Sequence, residues 1–142
     1  MNQLFGISTT VSFIITTTVA FQAQTAKIFK IDIPFDFIIN DRTLPAGRYS
    51  IGRLNEQNPD LLLFRKKDGR TNILVLTQRA NGEPMSARSM LSFNRYGESV
   101  FLKSVWAANE RYSSTLVQSS SERKRMMSGE AKIVSLFEPE PR

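Results

Sequence analysis

The chain has 142 residues, with 19 Lys and Arg against 13 Asp and Glu for a formal charge of +6, and it contains neither cysteine nor histidine. That composition excludes a Ser-His-Asp triad, a Cys-His nucleophile and any zinc site using Cys or His, leaving only carboxylates, Lys, Tyr or Ser for catalysis. The basic balance favours polyanionic partners such as nucleic acid, acidic polysaccharide or anionic lipid.

No side chain before Lys27 is charged, and Val11, Phe13, Ile14, Ile15, Val19, Ala20 and Phe21 form an apolar centre. With small residues at Thr18-Val19-Ala20 this predicts a signal peptide over residues 1–23, cut after Ala20 or Ala23. Its n-region lacks Lys and Arg. Interspersed threonines dilute it below the roughly 20 apolar residues of a membrane anchor, so the mature chain is expected to hold no integral span. Lipid attachment would require a cysteine after the cut. The expectation is a secreted or periplasmic domain of about 119 residues, the usual size for one domain.

A single β domain is expected over residues 27–137. In Lys27–Ile33 the alternation puts Phe29, Ile31 and Ile33 on one face and Ile28, Lys30 and Asp32 on the other, as in a half-buried strand. Pro34 has no amide to donate and marks a bulge or edge position before a second short strand ending at Asn40-Asp41. Leu61–Lys67 and Arg70–Gln78 flank Asp68-Gly69, a type I′ signature, which sets Phe64 opposite Ile73, Leu63 opposite Leu74 and Leu62 opposite Val75. Both faces of this hairpin are apolar, predicting a central pair covered on each side. A second hairpin turning at Tyr96-Gly97 sets Phe93 opposite Val100, Leu91 opposite Leu102 and Arg95 opposite Glu98. Trp106 then extends the core row of Val100 and Leu102. Loops are expected at Asn55–Asp60, Asn81–Pro84 and Asn109–Ser114. Ser119-x-x-Glu122 reads as a capping box and Gly129 as a C-cap, predicting one helix over about 119–129. Its Arg123–Arg125 turn faces solvent while Met126 and Met127 touch the core. A strand over Ala131–Phe137 and a disordered tail over 138–142 complete an all-β antiparallel sandwich or barrel.

Ile33-Pro34-Phe35-Asp36-Phe37, Leu44-Pro45-Ala46-Gly47-x-Tyr49, Phe93-x-Arg95-Tyr96-Gly97 and Phe101-Leu102-x-x-Val105-Trp106 occur in this order. Over roughly residues 28–130 the chain thereby resembles a group of short exported, uncharacterised (hypothetical) proteins common in acidobacteria. Relatives often carry histidine where this chain has Asn94. The resemblance implies export and a β fold, and no activity. Leu44–Tyr49 is also similar to a turn in exported prealbumin-like and immunoglobulin-like sandwiches.

Three groups of residues are candidates for function. Arg65, Lys66, Lys67 and Arg70, with Arg123, Lys124 and Arg125, are the basic clusters that would hold an anion. Tyr96, Trp106 and Tyr112 are aromatics that would stack on sugars or bases. Asp32 and Asp36, four residues apart, are the carboxylates that would bind a cation or flank a glycosidic bond; Asp36 is equally suited to pairing with Arg48 or Arg95. No recognised nucleic-acid motif is present and no cofactor is expected. The reading is a secreted binding or structural domain without catalytic activity, with an anion-binding module or a carboxylate-based hydrolase as alternatives and another exported protein or an envelope polyanion as partner.

Overall fold

Three places where the chain changes sheets organise the molecule. The computed structural model describes residues 29–82 and 86–140, so the expected leader lies outside the described residues. Strand β1 (Phe29–Ile33) stops at Pro34, and the chain passes through Phe35-Asp36 into β2 (Phe37–Ile39), which belongs to the other sheet. Later, β6 (Asn72–Leu76) runs into β7 (Gln78–Asn81) with only Thr77 between them, again crossing sheets. Between these two lie β3 (Arg42–Leu44), which stays beside β2, then β4 (Gly47–Arg53), reached by the third crossing back to the first sheet, and β5 (Leu61–Lys66). The rest comprises β8 (Met90–Tyr96), β9 (Ser99–Trp106), β10 (Tyr112–Thr115), helix α1 (Ser120–Ser128) and β11 (Lys132–Phe137).

One sheet is ordered β1-β4-β5-β6, all antiparallel. The second is ordered β11-β8-β9-β10-β7, with β2 joining β9 in parallel at Ile38 and carrying β3 beside it. The inward faces meet in one core that takes Ile31, Tyr49, Ile51 and Phe64 from the first sheet and Phe37, Leu91, Phe93 and Leu102 from the second. Of the expected antiparallel sandwich or barrel with one short C-terminal helix, the all-β sandwich is the observed architecture, with β2 and β9 as a parallel pair within it.

Aromatic packing explains why Pro34-Phe35-Asp36-Phe37 crosses where it does. Phe35 and Phe37 both meet Phe93 edge-on, at centroid distances of 5.1 and 5.8 Å, and Phe37 meets Tyr49 at 5.3 Å. Tyr49 enters the core from β4, and its hydroxyl donates to the Pro45 carbonyl at 2.6 Å. Gly47, at φ +153°, opens that strand beside Lys66; an added Cβ would lie 2.7 Å from the Lys66 Cε.

Turn chemistry departs from expectation twice. The β5–β6 register is as read, with Phe64 opposite Ile73, Leu63 opposite Leu74 and Leu62 opposite Val75. Its turn is not type I′, however. Only Gly69 has positive φ (+73°), and the Lys66 amide closes a longer loop onto the Thr71 carbonyl at 2.9 Å. Asp68 stays at negative φ because its carboxylate accepts from the Arg70 amide at 2.9 Å. The pair of positive φ values that type I′ requires is found at Asn40-Asp41 (48° and 64°), the two-residue loop between β2 and β3.

The β8–β9 register is shifted from the expected one. Gly97 (φ +60°) and Glu98 form the loop, Tyr96 faces Ser99, and Arg95 faces Val100 rather than Glu98. Glycine at the first position of a two-residue loop suits a II′ turn, which moves the turn one residue along. Phe93 pairs with Leu102 and Ser92 with Ser104, leaving Lys103 as an extra residue. Such a bulge reverses the alternation beyond it. Leu91 therefore faces Val105, which joins the core, and Trp106 leaves it.

Five further expectations are corrected. The β5–β6 hairpin is not central, because β6 ends its sheet, and Leu74 and Leu76 are exposed on the outer face. Met126 and Met127 face solvent, and the one buried residue of α1 is Glu122. Gly129 is extended rather than left-handed. The expected Asn109–Ser114 loop ends in β10, a polar strand without a hydrophobic signal. The expected tail begins bonded: the Glu138 amide donates to the Ser89 carbonyl at 2.8 Å, and Glu140 lies 3.9 Å from Arg88.

Candidate functional site

Strand alternation decides which polar residues share a face. On the outer face of the four-stranded sheet, the antiparallel pairing aligns Lys30 with Ser50 and Ser50 with Arg65. One row further, Asp32 lies opposite Arg48, and Lys67 follows because its amide donates to the Arg48 carbonyl at 2.9 Å. A cavity of about 200 Å³ lies among Lys30, Arg48, Tyr49, Ser50 and Lys67, with no carboxylate among the described residues of its lining. A neighbouring one of about 280 Å³ shares Lys30 and Arg48 and is bounded by Asp32, Glu138 and Pro139.

Arg48 is held in place by Asp32. Its Nε and Nη2 donate to the two carboxylate oxygens at 2.8 and 3.0 Å, the fork geometry that guanidinium favours. This hydrogen bonding holds the Asp32 carboxyl below its usual range and raises Arg48 further. Both groups are solvated, so the pair orients Arg48 more than it stabilises the fold. Lys66 is not available in the same way, lying 3.3 Å from Asp68. The amide of Arg70 is the main influence keeping the Asp68 carboxyl low, with Lys66 adding to it. Lys30 and Lys67 form no ion pair among the described residues.

The expected anion residues are thus divided. Arg65, Lys67 and the exposed Arg70 belong to the outer face and hairpin tip of the four-stranded sheet, and Lys66 is tied to Asp68. Arg123, Lys124 and Arg125 are exposed on α1, which docks on the outer face of the other sheet, so the sandwich separates the two clusters. Lys30, Arg48 and Ser50 complete the site and were not among the sequence candidates. Their signal is the outward phase of β1 and β4, legible only once the register between those strands is known.

The carboxylate candidates do not meet as a pair. Asp32 faces Arg48, whereas Asp36 accepts from the Ala46 amide at 2.9 Å, bracing the turn before β4, and bonds to neither Arg48 nor Arg95. Among the described residues no three acidic side chains gather as metal ligands. The aromatic candidates are also dispersed. Tyr96 is buried under α1, edge-on to Phe101 at 5.8 Å. Trp106 packs over Gly82, where an added Cβ would lie 2.0 Å from its ring. Tyr112 is exposed beneath the Arg79 guanidinium at 5.2 Å.

The helix is attached through an acid. Glu122, 5% exposed, accepts from Asn94 Nδ2 at 3.0 Å and from the Tyr96 hydroxyl at 3.4 Å. Its amide donates to Ser119 Oγ at 3.3 Å, so the capping box is half formed: the carboxyl that would return to Ser119 holds the sheet instead. Burial, followed by the charge and hydrogen bond of Glu122, pushes the Tyr96 hydroxyl above its ordinary value. The Ser121 hydroxyl donates to Asp41 in the β2–β3 loop and, more than the neighbouring Ser119, keeps that carboxyl low.

Comparison of the chain with protein-family models, curated proteins and solved structures found no match.

Proposed function

We propose that the chain is an exported, non-catalytic domain that binds an anionic group of a polyanionic ligand on the outer face of its four-stranded sheet. The observation that carries this reading is the cavity lined by Lys30, Arg48, Tyr49, Ser50 and Lys67, with no acidic side chain among the described residues of its lining. Arg48 is pre-aimed by Asp32, so fewer of its side-chain rotamers are lost on binding, and the backbone bond of Lys67 to Arg48 brings the two residues to the same face. The ammonium groups of Lys30 and Lys67 and the outer N–H groups of Arg48 suit the oxygens of a phosphate, sulfate or carboxylate. The apolar leader ahead of Lys27 supports export, and the lack of His and Cys in the sequence supports a binding role.

Calorimetric titration with a heparin fragment and with inorganic pyrophosphate at low salt tests the proposal. Lys30→Gln with Lys67→Gln is expected to weaken binding by about tenfold or more, corresponding to about 1.4 kcal/mol. Arg123, Lys124 and Arg125 replaced together by Gln are expected to leave it unchanged. Affinity falls as salt rises if ion contacts drive it. Equal binding by the Lys30/Lys67 variant, or no binding of either probe at low salt, would refute the assignment.

A further inference from the structure

The borders of the two sheets are guarded unequally. Unpaired strand edges invite pairing with other chains, and proteins blunt them with charges, proline or bulges. Among the bordering strands, β1 carries Lys30 and Asp32, β3 carries Arg42, β7 carries Arg79 and β11 carries Lys132. β6, Asn72-Ile-Leu-Val-Leu76, has no charge, no proline and a regular register, and its flanking residues Thr71 and Thr77 are uncharged as well. Among the described residues it pairs with β5 alone.

The phase of its ladder identifies which groups are free. The Lys66 amide bonds to the Thr71 carbonyl and the Thr77 amide to the Asp60 carbonyl. Antiparallel pairs alternate between bonded and non-bonded positions, so Ile73 and Val75 are the residues of β6 that bond to β5. The amides and carbonyls of Asn72, Leu74 and Leu76 then point away from the sheet. The side chains of Leu74 and Leu76 stand beside that edge at 51% and 68% exposure.

This pattern is complementary to itself. We infer that β6 is a docking edge for a second copy of the chain, laid antiparallel across a two-fold axis at Leu74. In that register Leu74 faces Leu74 of the second copy, and Asn72 faces its Leu76. All outward amides and carbonyls of the three residues are then paired, and an isologous interface closes on itself as a dimer. No like charges are brought together, which favours self-pairing over a strand rich in acids or bases. The product is a continuous eight-stranded sheet. Antiparallel neighbours keep their faces in common, so both basic cavities lie on one side of it.

Sedimentation velocity of the purified chain over rising concentration, to about 1 mM, is expected to show a reversible dimer. Amide exchange is expected to slow with concentration at Leu74 and Leu76, while Ile73 and Val75 are protected throughout. Leu74→Lys places like charges opposite each other and is expected to weaken the dimer at least about tenfold. Leu74→Pro removes an outward amide without costing a bond to β5, and is expected to do the same with the far-ultraviolet spectrum unchanged. Leu63→Ser, on the same outer face but one strand in from the edge, is expected to leave the dimer intact. A chain that stays monomeric throughout, or a dimer that survives Leu74→Lys or is lost with Leu63→Ser, would overturn the inference.

Discussion

Replacing Glu122 by alanine examines how a helix with almost no apolar contact is held to its sheet. Glu122 is the one buried residue of α1 and accepts from Asn94 and Tyr96, which are themselves buried. Its removal strands the Asn94 amide group and the Tyr96 hydroxyl away from water. A buried donor deprived of its acceptor costs about 1–3 kcal/mol, so the two together cost about 2–6 kcal/mol. That is a large part of the roughly 5–15 kcal/mol by which such domains are stable. The Ser119 cap bonds the Glu122 backbone amide and survives the change, so the loss is one of docking rather than of helix initiation. Glu122→Gln keeps an oxygen acceptor and nearly the same volume, and is expected to lose about 1 kcal/mol. Urea unfolding followed by circular dichroism measures both variants. A double-mutant cycle with Asn94→Ala isolates the coupling between the pair. Stability within about 0.5 kcal/mol of the parent for Glu122→Ala, or zero coupling to Asn94, would refute this reasoning.

Other perturbations follow from the same packing. Gly82→Ala drives a Cβ into the ring of Trp106. It is expected to cost about 1–3 kcal/mol and to shift the emission of the single tryptophan; an unchanged spectrum would contradict it. Tyr49→Phe leaves the Pro45 carbonyl without its 2.6 Å donor in a part-buried position and is expected to cost about 1 kcal/mol by thermal or urea unfolding. Asp32, Asp41 and Asp68 are held below the ordinary carboxylate value of 3.8 in the folded chain. A depressed folded value gives stability that is present above the unfolded value and lost as pH falls through the folded one. The urea midpoint should therefore change little on this account from neutral pH to about 4 and fall below it, and a midpoint that rises on acidification would be contrary. Tyr49 and Tyr96 are raised above 10.0 mainly by burial. Their contribution is complete below the unfolded value and lost as pH rises through the folded one, so absorbance at alkaline pH should show them ionising with or after unfolding.

Much of the fold was legible because local chemistry repeats it. Alternation in Phe29–Ile33, the turn at Leu44–Tyr49 and the opposed apolar runs around Asp68-Gly69 each state a strand or turn within a few residues, and each is present in the structure. The β8–β9 register was missed because both Tyr96-Gly97 and Gly97-Glu98 can form a tight loop, and the extra residue at Lys103 leaves no local mark. Polar strands β7 and β10 gave no apolar periodicity to detect. Glu122 was legible as a capping residue but not as the acceptor for Asn94, which lies 28 positions away. The same limit applies to the site. The sequence shows Arg65–Arg70 and Arg123–Arg125 as similar basic runs, and only the sheets place them on opposite sides.

From the sequence alone came the apolar strands, the exclusion of histidine and cysteine chemistry, the basic surplus and the apolar leader, because these are properties of single residues or short periods. Tertiary structure alone decided which charges share a face: Lys30, Arg48 and Lys67 come together through pairings between β1, β4 and the end of β5. It also decided that β6 is an uncharged border rather than a central strand. Strand order and register depend on contacts between distant segments, and no local pattern of residues encodes which neighbour a strand will find.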